Sequence, residues 1–149
     1  MPTESARELF RHALATLSYR GGKAFGGAPE SFSGFRIGTT GRTAGEILAH
    51  TCDVLDWGLI LAKEKHIWRE STPQTWQQDV DRFFAVLRAF DDFISSAAPL
   101  QAPLDKLFQG PIADALTHVG QIAMLRRLAE SPLKPENYFR ADVAIGHIG

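Results

Sequence analysis

The sequence is short of several features that would place it in a specialised class of protein. It has a single cysteine, Cys52, which excludes an internal disulfide framework and is typical of a reducing compartment. It has no apolar run near the ~18 residues that a membrane span requires, and the best stretch, residues 57–62, is far too short. Its polar, charged amino-terminal segment lacks the apolar core of a signal peptide. We therefore expect a cytoplasmic protein that does not enter a membrane.

An excess of charge of either sign is also missing. The 16 lysine and arginine residues and the 17 aspartate and glutamate residues leave a formal net charge of -1. This balance offers no overall basic character for a phosphate backbone, so we expect no nucleic-acid partner. A length of 149 residues with 44% hydrophobic composition suits one globular domain. We predict a single domain over residues 1–149.

Helical periodicity is the main feature that the sequence does contain. Four segments repeat apolar residues at spacings of three and four, and none alternates with a period of two for long enough to predict a strand. The first predicted helix runs from about Glu4 to Tyr19 and is ended by the pairs Gly21-Gly22 and Gly26-Gly27. Its apolar face contains Leu9, Phe10, Ala13, Leu14 and Leu17. The fourth begins after Gly110, with Pro111 in its first turn, and ends near Glu130. The pattern predicts an all-α four-helix bundle.

The second and third predicted helices have clear starting signals. Thr43 and Glu46 have the spacing of a capping box, and so do Thr75 and Gln78. The inward stripe of the second helix carries His50 in its middle. The other members of that stripe are Ile47, Val54, Trp57 and Leu61. The stripe of the third helix is wholly apolar, which indicates core; it contains Trp76, Val80, Phe83, Leu87, Phe90 and Ile94.

The segment between the first two helices combines loop composition with large apolar side chains. It is rich in glycine, serine and threonine but also carries Phe32, Phe35 and Ile37. We expect this loop to lie across the bundle with those three side chains buried. Its length is sufficient to shape or cover a pocket.

Three side chains form a candidate metal site. Asp114 and His118 lie one turn apart on the fourth helix, about 6 Å between Cβ atoms, so both can reach one ion. His50 faces the bundle interior from the second helix, and bundle cores build metal sites from side chains on facing helices. Imidazole and carboxylate ligands suit Zn²⁺, Ni²⁺, Fe²⁺ or Mn²⁺, and three protein ligands leave positions open for water or substrate.

The same residues also have a simpler interpretation. A histidine on an apolar stripe is often a hydrogen-bonded core residue, and Asp114 lies in a first helical turn, where the macrodipole favours an acid. Asp53 and Gln121 also have two interpretations each. Asp53 either accepts a hydrogen bond from the His50 imidazole or lies in solvent. Gln121 either lines the pocket or ties the helices together.

The remaining chemically active side chains are weaker candidates. Cys52 is interpreted as a small packed residue rather than a nucleophile. The paired arginines at positions 126 and 127 are accounted for by the negative end of the helix dipole. The histidines that lack partners at ligand spacing are predicted to lie at the surface; they are His12, His66 and His147. Catalytic residues are left unassigned, because no further acid or base stands out.

Several segments in order resemble the DinB-like (DinB/YfiT) superfamily. They are EILAHTCDVLDWG, GPIADALTHVGQIAMLRRLAESP and PENYFRADVAIG, of which THVGQ with the following LRR is the strongest. The resemblance implies a bundle with up-down-down-up helix order and a divalent metal, typically zinc or nickel, held by three histidines. His50 and His118 match two of those positions directly. Asp114 stands where the superfamily has histidine, which leaves either a His/His/Asp site or a site that has lost affinity.

The resemblance also directs the functional hypotheses. It implies a metal-dependent enzyme that acts on a small molecule, by transfer of a low-molecular-weight thiol or by hydrolysis, through a metal-activated thiol or water. Members are often dimers, so a homodimer is the corresponding expectation. The main alternative is a non-catalytic bundle that binds a small ligand or a partner and has a weak or vestigial metal site. A purely structural dimerisation module is a third.

Overall fold

The computed structural model describes residues 2–64 and 67–149, and within these ranges the chain forms helices and no strand. The long helices are α1 (Glu4–Phe25), α2 (Ala44–Lys63), α3 (Trp76–Ser95) and α5 (Ala113–Leu128). A short helix α4 (Leu104–Leu107) leads through a π-helical turn (Phe108–Ile112) into α5, and 3₁₀ turns occupy Glu30–Gly34 and Tyr138–Arg140. The all-α prediction is confirmed. The predicted surface position of His66 lies outside the described residues.

Both predicted capping boxes are present and set the starts of α2 and α3. Thr43 Oγ1 accepts a hydrogen bond from the Glu46 backbone N–H at 3.1 Å, and Glu46 Oε1 accepts one from the Thr43 N–H at 2.9 Å. Thr75 and Gln78 repeat this exchange at 3.1 and 3.2 Å. Each box satisfies backbone donors that the first helical turn would otherwise leave unpaired.

Helix α1 ends later than the predicted Tyr19: it passes through Gly21 and Gly22, and Gly26 of the second expected glycine pair is its C-cap. Its last residue is Phe25. Gly21 is buried in the bundle, where an added Cβ would lie 2.6 Å from the ring of Phe83. The glycine therefore permits close packing of α1 on α3 rather than ending the helix.

The predicted start of the last helix was wrong. Helical structure begins at Leu104, and Pro111 lies inside the continuous segment rather than at its first turn. Because proline has no backbone N–H to donate, the regular hydrogen-bond ladder is interrupted there. The π-helical turn carries the chain past this interruption and into α5.

Helices α1 and α3 run antiparallel. At one end, Arg7 of α1 donates a hydrogen bond from Nη1 to the Ile94 carbonyl at 3.0 Å. At the other end, the rings of Phe25 and Trp76 pack edge to face with centroids 6.0 Å apart. The first residues of α1 therefore lie beside the last residues of α3.

Helices α2 and α3 run parallel. The Cys52 thiol donates to the Asp79 carbonyl at 3.4 Å, and further along both helices Gly58 lies against the ring of Phe90. The start of α3 therefore lies beside the first half of α2, and both helices continue in the same direction. Helix α5 is antiparallel to α2, because Gly58 lies against Pro111 while His50, earlier in α2, lies against His118, later in the chain. Helices α1 and α5 therefore run in one direction, and α2 and α3 run in the other.

Arg126 has a structural role that the helix-dipole interpretation missed. Its side chain is buried and donates from Nη1 to the Gly26 carbonyl at 2.5 Å and from Nε to the Ser131 carbonyl at 2.9 Å. It joins the end of α5 to the end of α1 and caps backbone carbonyls that no helix satisfies. Its neighbour Arg127 is exposed.

The apolar residues outside the helix stripes follow the prediction in part. Phe32 is buried and Phe35 half-buried against the bundle, whereas Ile37 is 58% exposed. On α1, Leu9 is 73% exposed, contrary to the predicted face. No helix in the described part of the chain is both long enough and apolar enough to cross a membrane.

Candidate metal centre

The three predicted ligand residues lie together between α2 and α5. The rings of His50 and His118 have centroids 4.8 Å apart and meet at 79°. One potential ligand atom from each of His50, Asp114 and His118 lies within 4.8 Å of the others, so the cluster could hold a metal ion. His118 is buried, His50 is half-buried and the Asp114 side chain is 50% exposed. The cluster therefore has a protein side and a side open to solvent.

A close contact elsewhere on the same helix pair brings the two histidines to one level. An added Cβ at Gly58 would lie 2.8 Å from Cβ of Pro111, so α2 nearly touches the π-helical turn that leads into α5. From this contact, His50 lies back along α2 and His118 forward along α5, each by about two helical turns, or ~11 Å. In two antiparallel helices in contact at Gly58, these offsets bring both histidines to the same level, where their ring centroids lie 4.8 Å apart.

Gln121 orients the His118 ring. Its Oε1 accepts a hydrogen bond from His118 Nδ1 at 2.9 Å, which places the ring proton on Nδ1 and the lone pair on Nε2. His118 Nε2 is buried, lies 3.4 Å from Asp114 Oδ2 and has no hydrogen-bond partner in the described structure. A buried nitrogen lone pair without a donor is costly in a folded protein. A cation shared with Asp114 would satisfy it, and an oriented second ring nitrogen is typical of histidine ligands.

The electrostatics around His50 favour its neutral form. Burial lowers the pKa of this imidazole, and the charges of Arg42 and His118 lower it further, while Asp114 and Asp53 act in the opposite direction. A neutral imidazole is the form that binds a metal. The carboxylate of Asp114 adds the negative charge that a divalent ion requires.

Asp53 serves a different purpose from the one considered as an imidazole acceptor. It is buried, and it accepts hydrogen bonds from the Ser71 backbone N–H at 2.9 Å and from Arg82 Nη2 at 2.8 Å. The described hydrogen bonds of Asp53 thus tie the loop after α2 to α3 rather than orienting His50. The same loop brings Trp68 against His50, with ring centroids 5.8 Å apart.

A pocket opens beside the cluster and was not apparent from the sequence. It has a volume of about 390 Å³ and is bounded by the loop before α2 on one side and α5 on the other. His118 and Gln121 form part of its wall, and Arg42 lines it from the loop. The loop was expected to shape a pocket, but its composition did not indicate which side chains of α5 would face it.

Cys52 is packed, as predicted. It is fully buried between α2 and α3, and burial raises the pKa of its thiol well above the usual range. A thiol held protonated in this way is a poor nucleophile. Of the other predicted surface histidines, His12 and His147 are exposed.

Comparison with known proteins adds no relative to this description. No protein-family model matches the chain, and no curated protein or solved structure is significantly similar to it.

Proposed function

We propose that this chain is a divalent-metal-dependent enzyme of the DinB-like type, acting on a small molecule by hydrolysis or by transfer of a low-molecular-weight thiol. The observation that carries the proposal is the buried, unpartnered Nε2 of His118, held toward His50 and Asp114 by the Gln121 hydrogen bond. The helix directions described above are those of an up-down-down-up bundle, which supports the resemblance seen in the sequence.

The donor set fits a borderline ion such as Zn²⁺ or Ni²⁺, with Fe²⁺ or Mn²⁺ as further candidates. His50 and His118 would contribute neutral imidazole nitrogens and Asp114 a carboxylate oxygen. The bound ion would supply Lewis acidity, lowering the pKa of a water or thiol at an open position. Gln121 holds the proton on His118 Nδ1, so that Nε2 faces the cluster as an acceptor.

The two sides of the candidate metal centre have different surroundings. Trp68 covers His50, while the pocket lined by Ile47 and Leu125 lies next to His118. An apolar wall excludes water from a bound substrate and strengthens electrostatic interactions with it. The exposed side of Asp114 leaves a route for the attacking water or thiol. Because the Cys52 thiol is buried and held protonated, any thiol in the reaction would come from a second substrate.

One observation favours a non-catalytic alternative, in which the bundle binds a ligand beside a weak metal site. Apart from His118, the described residues that line the pocket include no carboxylate, histidine, tyrosine or cysteine that could transfer a proton. In the enzymatic proposal, the proton would instead be transferred by the water or thiol that the ion activates, or by Asp114, the exposed member of the cluster. Activity measurements therefore have to accompany metal analysis.

The first experiment measures Zn²⁺ and Ni²⁺ binding to untagged, metal-stripped protein by isothermal titration calorimetry. Wild type should bind one ion per chain. His50→Ala and His118→Ala should abolish stoichiometric binding, whereas Asp114→His should preserve or tighten it by restoring three imidazoles. Gln121→Ala should weaken affinity by roughly 10–100-fold, since it removes the group that orients a ligand.

The His147→Ala variant is the matched control, since it removes an exposed histidine that lines a different pocket and is not part of the cluster. Wild-type affinity in His50→Ala and His118→Ala would refute the metal centre. The second experiment compares metal-loaded and metal-stripped protein in assays of ester or amide hydrolysis and of thiol addition to model electrophiles. Tight metal binding with no metal-dependent turnover in either assay would support the non-catalytic alternative instead.

A further inference from the structure

The pocket beside the candidate metal centre has an apolar floor that the fold leaves uncovered. Ile37 from the loop and Met124 from α5 both line it, and they are 58% and 51% exposed. Ile47 and Leu125 close the floor from beneath and are buried. Large apolar side chains that face each other across an open cavity favour an apolar ligand over water.

Arg42 supplies a positive charge beside this apolar surface. Arg42 lines the pocket, and its guanidinium makes no hydrogen bond or ion pair within residues 2–64 and 67–149. Glu46 senses the charge of Arg42, but its carboxylate already accepts a hydrogen bond from the Thr43 backbone N–H. An exposed arginine with all its donors free is suited to a planar carboxylate, which it can bind through two parallel hydrogen bonds.

The charge of the pocket limits the ligand further. Among the described residues of the lining, Arg42 is the one that carries a charge, and Asp114 lies close by in the cluster with His118. One positive charge balances one negative charge, while a second negative charge would face the carboxylate of Asp114. In the metal-stripped chain a monoanion is therefore favoured over a dianion such as a phosphate monoester, since no ion offsets the charge of Asp114.

We propose that this pocket binds an aliphatic monocarboxylate, with the carboxylate on Arg42 and the hydrocarbon chain against Ile37, Met124 and Leu125. The inference rests on the proposed function in one respect: a ligand seated in this way has its carboxylate end beside His118 and the candidate metal. It names the class of substrate as a small molecule with an apolar body and one carboxylate.

The test uses octanoate as the probe, with octanol and octylamine as neutral and cationic molecules of the same chain length. Binding is measured by isothermal titration calorimetry on the full chain, both metal-stripped and loaded with Zn²⁺. Octanoate should bind more tightly than the other two in both states. Arg42→Gln should weaken octanoate binding by roughly 10–100-fold, the usual effect of losing a hydrogen bond to a charged group, and leave octanol unchanged.

Two further variants make the result specific. Arg36→Gln is the matched control, because Arg36 is an exposed arginine of the same loop that does not line the pocket. It should behave as wild type. Met124→Gln should weaken octanoate and octanol alike, since it removes apolar surface that both chains would contact.

The outcomes separate this inference from the metal centre itself. Equal effects of Arg42→Gln and Arg36→Gln, or octanoate binding no tighter than octanol, would overturn the carboxylate pocket while leaving the metal result untouched. Octanoate binding that required Zn²⁺ and ignored Arg42→Gln would assign the carboxylate to the metal and overturn the role of Arg42. A chain that bound octanoate through Arg42 but bound no Zn²⁺ would retain the pocket and refute the metal-dependent function.

Discussion

The contact between Gly58 and Pro111 should determine whether α2 and α5 meet at the right level, and Gly58→Ala tests this directly. An added Cβ would lie 2.8 Å from Cβ of Pro111 and 3.0 Å from Cε2 of Phe90. Neither neighbour can easily give way, because the proline ring is rigid and Phe90 is fully buried. The methyl group must therefore push the helices apart or strain the packing.

Two opposing terms set the expected size of the effect. Alanine in a helix interior is favoured over glycine by about 1 kcal/mol, whereas overpacking a tight core position costs about 1–3 kcal/mol. Gly58→Ala should therefore change the free energy of unfolding by roughly 0–2 kcal/mol in the destabilising direction. Gly120→Ala is the matched control: it lies within α5 with nothing inside 4 Å of its added Cβ. It should stabilise the protein by up to about 1 kcal/mol.

The assay is urea denaturation of both variants, followed by far-ultraviolet circular dichroism. Because the helix-propensity term is shared, the difference between the two variants isolates the steric term, about 1–3 kcal/mol. Zn²⁺ affinity should also fall in Gly58→Ala and stay unchanged in Gly120→Ala, since His50 and His118 face each other across the same helix pair. If Gly58→Ala proves as stable as Gly120→Ala, the close approach of α2 to Pro111 does not set the register.

Three other outcomes follow from burial and hydrogen bonding. Phe83→Ala and Leu87→Ala should each lower the free energy of unfolding by roughly 2–5 kcal/mol, because both side chains are fully buried. A loss of free energy of unfolding under about 0.5 kcal/mol in urea melts would contradict the helix register. Cys52→Ala should keep any metal-dependent activity within a few-fold of wild type, and a large kinetic loss in the folded variant would give the thiol a chemical role. Arg126→Met should destabilise by about 1–3 kcal/mol by leaving buried carbonyls unpaired, while the exposed Arg127→Met should change stability by less than about 0.5 kcal/mol in the same melts.

The features that could be predicted from the sequence are those that depend on neighbours along the chain. The capping boxes at Thr43 and Thr75 need residues three apart, and the apolar stripe of α3 needs only helical spacing. The pairing of Asp114 with His118 is local in the same sense, since one turn of α5 separates them. These interactions form within a single helix, so the sequence determined them without reference to the rest of the fold.

Local signals failed where packing between helices decided the outcome. Gly21 and Gly22 were expected to end α1, yet the helix continues to the second glycine pair, and Gly21 lies where the Phe83 ring occupies the space that a Cβ would need. Pro111 read as a first-turn residue, yet α4 and the π-helical turn extend the helix on its amino-terminal side. Glycine and proline each occur in more than one structural role, and the more common role was predicted in both cases. The residues that they pack against lie far away in the chain, so the sequence nearby did not reveal the other role.

The composition of the candidate site was likewise decided by tertiary structure. Sequence spacing placed His50 and His118 on inward faces, but their common level depends on the Gly58 contact between two helices distant in sequence. Asp53, the nearest acid to His50 along α2, is directed to Ser71 and Arg82 instead, and Gln121 is the residue that orients a histidine. The sequence alone determined which side chains could serve as ligands. Which of them meet depends on how α2 and α5 pack, because a helix specifies the direction of its side chains but not its height against a neighbour.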